Sequence, residues 1–269
     1  MRMMFMSMIA AYLCGNVYIF VRALQTLSGF SLGWKLVFSL CYWVAALALV
    51  FTFFVRNVEL PESLSQGLFS IGSVWLVFTL YMVLALLVTD FAKLFLPTLK
   101  PYGFVASLGF TVCLLTYGYF NYKHPDIKRL DITLDKPLQG NPMKVVAISD
   151  LHLGNGTRKP QLKKFVEMIN AEAPDLIVIG GDLIDNSLLP LYQQKMQEEL
   201  KQLKAPMGIY MVPGNHEYIS GIEECKTFLK DTPVRLLHDS IVTLPNGLQI
   251  IGRDDRSNRR RTPLAQLMK

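Results

Sequence analysis

The sequence predicts a bundle of apolar membrane helices followed by an α/β domain. Three observations carry that expectation. Charged residues make up 18% of the 269, below the soluble norm of roughly 25%. Before Asn121 they are only Arg2, Arg22, Lys35, Arg56, Lys93, Lys100, Glu59, Glu62 and Asp90. After it, short apolar runs alternate with helix-like stretches, and three of the runs close on carboxylate, amide or imidazole side chains.

The first part divides into apolar stretches over Phe5–Leu24, Trp34–Val55, Leu68–Leu87 and Phe104–Phe120, against the ~17–25 residues that a spanning helix needs. The first is too long for a signal peptide, and three more spans follow it. Charged or proline-bearing connections, such as Arg56–Glu62 and Leu96–Pro101, separate the spans. Trp34, Tyr102, Tyr117, Tyr119 and Tyr122 fall near span ends, where interfacial aromatics belong. Asp90 lies at a span boundary beside Lys93, which suits an interfacial carboxylate. Four spans put both termini on one side, and Arg2, Arg56, Lys123, Lys128 and Arg129 slightly outweigh Arg22, Lys35, Lys93 and Lys100. The expectation is an integral, multi-pass membrane protein with its soluble part in the cytoplasm.

Residues 1–120 are thus the membrane region, 121–143 a connector with a first strand over Ile127–Leu134, and 144–269 the soluble domain. There, Lys144–Ser149 reads as a buried strand that delivers Asp150 and His152. At strand spacing, positions i and i+2 share a face, so both reach one ion if the chain stays extended. Pro160–Ala173 has helical spacing, with Leu162, Phe165, Val166 and Ile169 as its apolar stripe. Leu176–Ile179 is a second buried strand leading to Gly180-Gly181-Asp182. A polar helix spans Leu189–Leu203. Met207–Val212 is a third strand, leading to Pro213-Gly214-Asn215-His216-Glu217. Then come a helix over Ile222–Lys230, strands over Val234–Leu237, Ser240–Leu244 and Leu248–Ile251, and a hairpin turn at Asn246-Gly247.

The net charge of +6 does not predict a nucleic-acid partner, because the basic residues are dispersed. Arg253–Arg261, the one dense cluster, is interleaved with Asp254 and Asp255 and reads as a solvated face or a phosphate-facing loop. Cys14, Cys41 and Cys113 fall in apolar stretches and Cys225 stands alone, so neither a disulfide framework nor zinc-type cysteine spacing is present. His124 and His238 read as surface or packed histidines. Arg158 and Lys159 fit a solvated helix start better than a phosphate contact.

Singly, each polar strand end is weak evidence; three in order, each closing a strand, are strong, because ligands collect at the carboxyl ends of strands in open α/β sheets. The runs Asp150-Leu151-His152, Gly181-Asp182 and Gly214-Asn215-His216-Glu217 resemble the first three motifs of the calcineurin-like metallophosphoesterases. With the preceding spans, the chain is similar to transmembrane proteins that carry such a domain. The resemblance implies a layered β-sandwich flanked by helices, with two divalent ions (manganese, iron or zinc) that activate water and neutralise a phosphoryl group. It implies Asp150 and His152 as ligands of the first ion, Asp182 as the bridge, Asn215 as a ligand of the second, and His216 as the donor to the phosphoryl group or leaving oxygen. The partners it implies are the membrane and a phosphoester substrate, with a lipid-linked phosphate suggested by location alone.

The family's later motifs supply further metal histidines, usually including a Gly-His-x-His run. After His216 this sequence has only His238. The expectation is a C-terminally incomplete domain that binds metal weakly, in a hydrolase of impaired activity. The alternative is a catalytically inactive membrane interaction protein that retains part of the domain.

Overall fold

Side chains that are apolar all round leave a helix no polar face to turn to water, so such helices belong inside a core or a bilayer. The computed structural model, which describes residues 2–55, 60–99, 101–133 and 142–268, forms four of them. They are α1 (Arg2–Thr26), α2 (Leu32–Val55), α3 (Glu62–Ala92) and α4 (Gly103–Lys123), all long and apolar enough to cross a membrane. Between α2 and α3 the backbones approach closely: a Cβ on Gly72 would lie 2.5 Å from the Leu49 nitrogen. Small residues make such approaches where apolar burial gives helices little drive to associate.

Polar atoms inside this bundle find each other. Fully buried Asn16 accepts hydrogen bonds at Oδ1 from Trp75 Nε1 at 2.9 Å and Tyr42 Oη at 3.2 Å. Asp90 on α3 pairs with Arg22 of α1 at 2.9 Å and with Lys93 at 2.7 Å. Its charge is therefore compensated across two helices.

The chain divides into two compact units, residues 1–131 and 132–269. The strand expected over Ile127–Leu134 is absent from residues 127–133, and Leu134 lies outside the described residues. Ile127, Leu130 and Ile132 are 50%, 82% and 73% exposed, so the described residues leave the apolar side chains that suggested a strand largely uncovered.

The second unit holds β1 (Val145–Ile148), α5 (Lys159–Ala171), β2 (Leu176–Ile179), α6 (Leu189–Gln193), α7 (Gln197–Leu200), β3 (Ile209–Met211), α8 (Asn215–Ser220), α9 (Ile222–Lys230) and β4 (Val234–Leu236). These are followed by β5 (Ser240–Thr243), β6 (Gln249–Gly252) and α10 (Leu264–Leu267). Strands β1, β2, β3 and β4 form one parallel sheet in that order, with Ile148 opposite Ile179 and Ile179 opposite Met211. Parallel pairing puts the ends of β1, β2 and β3 side by side, and that positions the site. Ile177, Ile179, Ile209 and Met211 pack in one core with Leu162, Val166 and Ile169 of α5 and Phe228 of α9.

Two expectations need correction. Strand β1 is not buried: as the sheet's edge strand it is covered only at alternate positions, and Val145 is 43% exposed. The single helix expected over Leu189–Leu203 is two short ones. Lys195 turns left-handed (φ +52°), so that Leu191 and Met196, both fully buried, reach the core from either side of the break.

Strands β5 and β6 form an antiparallel hairpin around Asn246-Gly247, where Gly247 supplies the positive φ (+85°) that the turn requires. After β6 the chain closes a loop on one carboxylate. Asp239 Oδ1 accepts from Asp254 N at 2.9 Å, and its Oδ2 accepts from Thr262 N at 2.5 Å. Asp254, only 2% exposed, accepts from Tyr218 Oη at 2.7 Å and Asn258 Nδ2 at 2.6 Å, and lies 2.6 Å from His238 Nε2. Burial pushes the Asp254 carboxyl up, but these neighbours outweigh it and hold the group below the usual carboxylate range. Asp239 is held low in the same sense, burial again opposing, by the two backbone N–H groups it clasps.

A folded-state pKa below the unfolded value adds stability that is present above the unfolded value and lost as pH falls through the folded one. The unfolded value is about 3.9 for aspartate, so the unit should lose thermal stability as pH drops below about 4. An Asp254→Asn chain should show a flatter dependence in detergent-solubilised thermal melts, and a parallel dependence would contradict this assignment.

Candidate metal centre

Pairing between β1 and β2 does not stop where the strands end. Gly180 N donates to Ile148 O at 2.8 Å, Asp150 N to Gly181 O at 3.1 Å, His152 N to Asp182 O at 3.0 Å and Leu153 N to Leu183 O at 2.8 Å. Leu153, Leu183 and Ile184 are fully buried and anchor the two loops in the core, while Asp150, His152 and Asp182 alternate with them. The extended geometry itself does not continue. Asp150, His152 and Asp182 all take left-handed backbone (φ +56°, +46° and +51°), so the left-handed steps at Asp150 and His152, rather than strand alternation, bring these two together. Aspartate and histidine tolerate this region better than most residues, and such strain persists where surrounding bonds over-determine it.

The loop after β3 is tied to the loop after β2 by one side chain. Fully buried Glu217 accepts from Gly214 N at 2.7 Å and Asp182 N at 3.0 Å through Oε2, and from Ile184 N at 3.0 Å through Oε1. Asp182 returns the tie, its Oδ1 accepting from His216 N at 2.9 Å. Close approach demands glycine here: a Cβ on Gly214 would lie 2.2 Å from Asp182 Oδ1.

Together these ties bring one donor atom each of His152, Asp182 and His216 within 4.8 Å of one another. The rings of His152 and His216 meet edge to face at 4.4 Å. Asp185, three residues beyond Asp182, lies between them: its Oδ1 is 3.2 Å from His216 Nδ1 and 3.6 Å from His152 Nδ1. The His216 Nδ1 is buried, and its approach to Asp185 is close without being aligned as a hydrogen bond. Asp150 stands at the edge of the group, with 66% of its side chain exposed and Oδ1 3.8 Å from His152 Nε2. Asn215 is exposed at the first position of α8.

Two carboxylates of this centre have no role in the sequence reading. Glu217 stands three residues after Gly214, the spacing at which a first-turn glutamate accepts from the N-cap N–H, but nothing in the run announces its bonds to the loop after β2. Asp185 carries a signal that could have been used, a second aspartate three residues after the first. Among the other candidates, Lys159 pairs with Glu198 at 2.7 Å, and His124 lies 2.8 Å from Phe120 O at the end of α4. His238 is packed against Tyr218 and Asp254.

Imidazole and carboxylate donors that converge within a few ångströms, one buried nitrogen among them lacking a hydrogen bond, suit a divalent ion. Residues 143–264 match the family described as calcineurin-like phosphoesterase. This stretch is a calcineurin-like phosphoesterase domain.

Domains of this family bind divalent metals, and the donor set here fits one. The chain is 30% identical to an uncharacterized metallophosphoesterase of Campylobacter jejuni, over 82% of this chain and 61% of that protein. It is 27% identical to a transmembrane protein with metallophosphoesterase domain of Danio rerio, over 85% of this chain and 56% of the relative. Over 49% of its length it is 30% identical to the UDP-2,3-diacylglucosamine pyrophosphatase LpxG of Chlamydia muridarum, matching 38% of that protein. The chain therefore spans roughly half the length of these curated relatives. No solved structure matches it.

Replacing Glu217 by glutamine turns one acceptor oxygen into a donor facing backbone N–H groups. Glu217→Gln should lower stability by about 2 kcal/mol, the scale of a lost charge-assisted hydrogen bond, and weaken manganese binding as the two loops part. Thermal melts with manganese titration check this; unchanged values of both would mean that the clasp does not hold the site.

Proposed function

We propose that this protein is a membrane-anchored, multi-pass, metal-dependent phosphoester hydrolase, with its membrane region over residues 1–120, a connector to residue 143 and the hydrolase domain from residue 144. The observation that carries this reading is the convergence of His152, Asp182 and His216 to within 4.8 Å at the ends of adjacent parallel strands. We take the domain to be cytoplasmic on the slight excess of lysine and arginine on that side.

Asp150, His152, Asp182 and Asn215 would hold divalent metal, with Asp182 centrally placed between the loops. Bound metal would supply positive charge opposite the phosphoryl oxygens and make water a usable nucleophile at neutral pH. His216 hydrogen-bonds the phosphoryl group or protonates the leaving oxygen through Nε2. Asp185 Oδ1 lies 3.2 Å from Nδ1, so Nε2 is the nitrogen we assign to the substrate. Glu217 positions rather than reacts, since its carboxylate accepts from backbone N–H groups of the loops after β2 and β3. A lipid-linked phosphate or pyrophosphate is the substrate class we favour. The chain tethers the domain to a membrane region, and the relative LpxG is by name a pyrophosphatase.

Among the described residues one group of three donors converges, so hydrolysis by this chain should be slow. The test is manganese-dependent hydrolysis of an aryl phosphodiester by the detergent-solubilised chain. A rate above background that falls roughly a hundredfold or more in Asp182→Asn supports the proposal. Equal rates for the two chains would sink catalysis by this chain. Manganese binding retained under that outcome would favour an inactive interaction protein.

A further inference from the structure

The basic cluster near the end of the chain is a built loop rather than a solvated run. Its two ends are held by the two oxygens of Asp239, at Asp254 N and Thr262 N. Inside it, Asp255 Oδ1 accepts from Ser257 N at 2.7 Å and Asn258 Oδ1 accepts from Arg260 N at 2.9 Å. The loop carries four arginines, Arg256, Arg259, Arg260 and Arg261, against two aspartates. Arg261 donates to Asp254 O at 3.3 Å. Arg256, Arg259 and Arg260 are exposed, and none makes a salt bridge with another described residue.

The loop is rooted beside the carboxyl end of the sheet. Its buried Asp254 accepts a hydrogen bond from Tyr218 of the short helix α8, whose first two residues are Asn215 and His216. His238, a further neighbour of Asp254, follows β4, whose parallel partner β3 leads into Asn215 and His216. The carboxyl end of the sheet therefore has carboxylates and imidazoles over β1 to β3 and a cationic loop beside them.

We propose that the loop Asp254–Thr262 is a second anion subsite, taking a phosphate of the substrate other than the one that reacts. This rests on the hydrolase reading above. Guanidinium groups suit the task because they bind phosphate oxygens in pairs and stay charged at every physiological pH. The Asp239 clasp lowers the ordering cost of binding, since the loop is shaped before the ligand arrives. The subsite selects diphosphate-type esters over simple monoesters, and it makes the substrate's second phosphate a handle for orientation.

The test is calorimetry on the detergent-solubilised full chain with manganese, followed by inorganic orthophosphate or inorganic pyrophosphate. The unaltered chain should prefer pyrophosphate by about tenfold or more. Arg259→Gln/Arg260→Gln should erase that preference while leaving manganese affinity unchanged. Lys163→Gln/Lys201→Gln, an equal charge change on other exposed positions, should keep it. A preference absent from the unaltered chain, kept in the arginine variant or lost equally in the lysine variant overturns the subsite and leaves the metal centre standing. No manganese-dependent anion binding at all overturns both.

Discussion

One buried carboxylate holds the candidate centre together. Glu217 takes three backbone N–H groups from two different loops and is itself wholly shielded from water. A buried charge is tolerable only when hydrogen-bonded, and three donors aimed at two oxygens meet that requirement. The consequence is geometric: the loop after β3 cannot move independently of the loop after β2, so Asp182 and His216 keep their separation. The same bonds support the left-handed turn at Asp182, which an isolated loop would not hold.

Much of this was legible in the chain. Apolar runs ending in Asp150, Asp182 and Asn215-His216 gave both the α/β layering and the strand ends where donors gather, because burial and ligand chemistry both leave marks in residue type. The four apolar helices and the Asn246-Gly247 hairpin were legible for the same reason. What escaped depends on tertiary context. The left-handed turns at Asp150 and His152 are imposed by pairing with the β2 loop, and the break at Lys195 by two buried side chains that a single helix could not both serve. Spaced apolar residues at Ile127, Leu130 and Ile132 suggested a strand, yet among the described residues no layer buries them.

The two halves of the chain solve the polar-burial problem in different ways. In the apolar helices Asn16 and Asp90 are satisfied by neighbours across the bundle, and nothing beyond packing follows from them. In the α/β unit the polar groups are divided between fixers and donors. Glu217, Asp239 and Asp254 spend their acceptors on the protein's own N–H, amide and hydroxyl groups. His152, Asp182 and His216 retain atoms that face one another, and the exposed Arg256, Arg259 and Arg260 make no salt bridge among the described residues. That division separates scaffold from chemistry within a few residues.

The central claim is that the strand-end loops place His152 and Asp182 around a common metal position, with His216 beside it. Anomalous diffraction from crystals of the manganese-loaded chain tests it directly. The account predicts a peak within about 2.0–2.3 Å of the Asp182 carboxylate and an imidazole nitrogen of His152, distances typical of first-row metal ligation. A peak elsewhere on the chain, or none at saturating manganese, would contradict it.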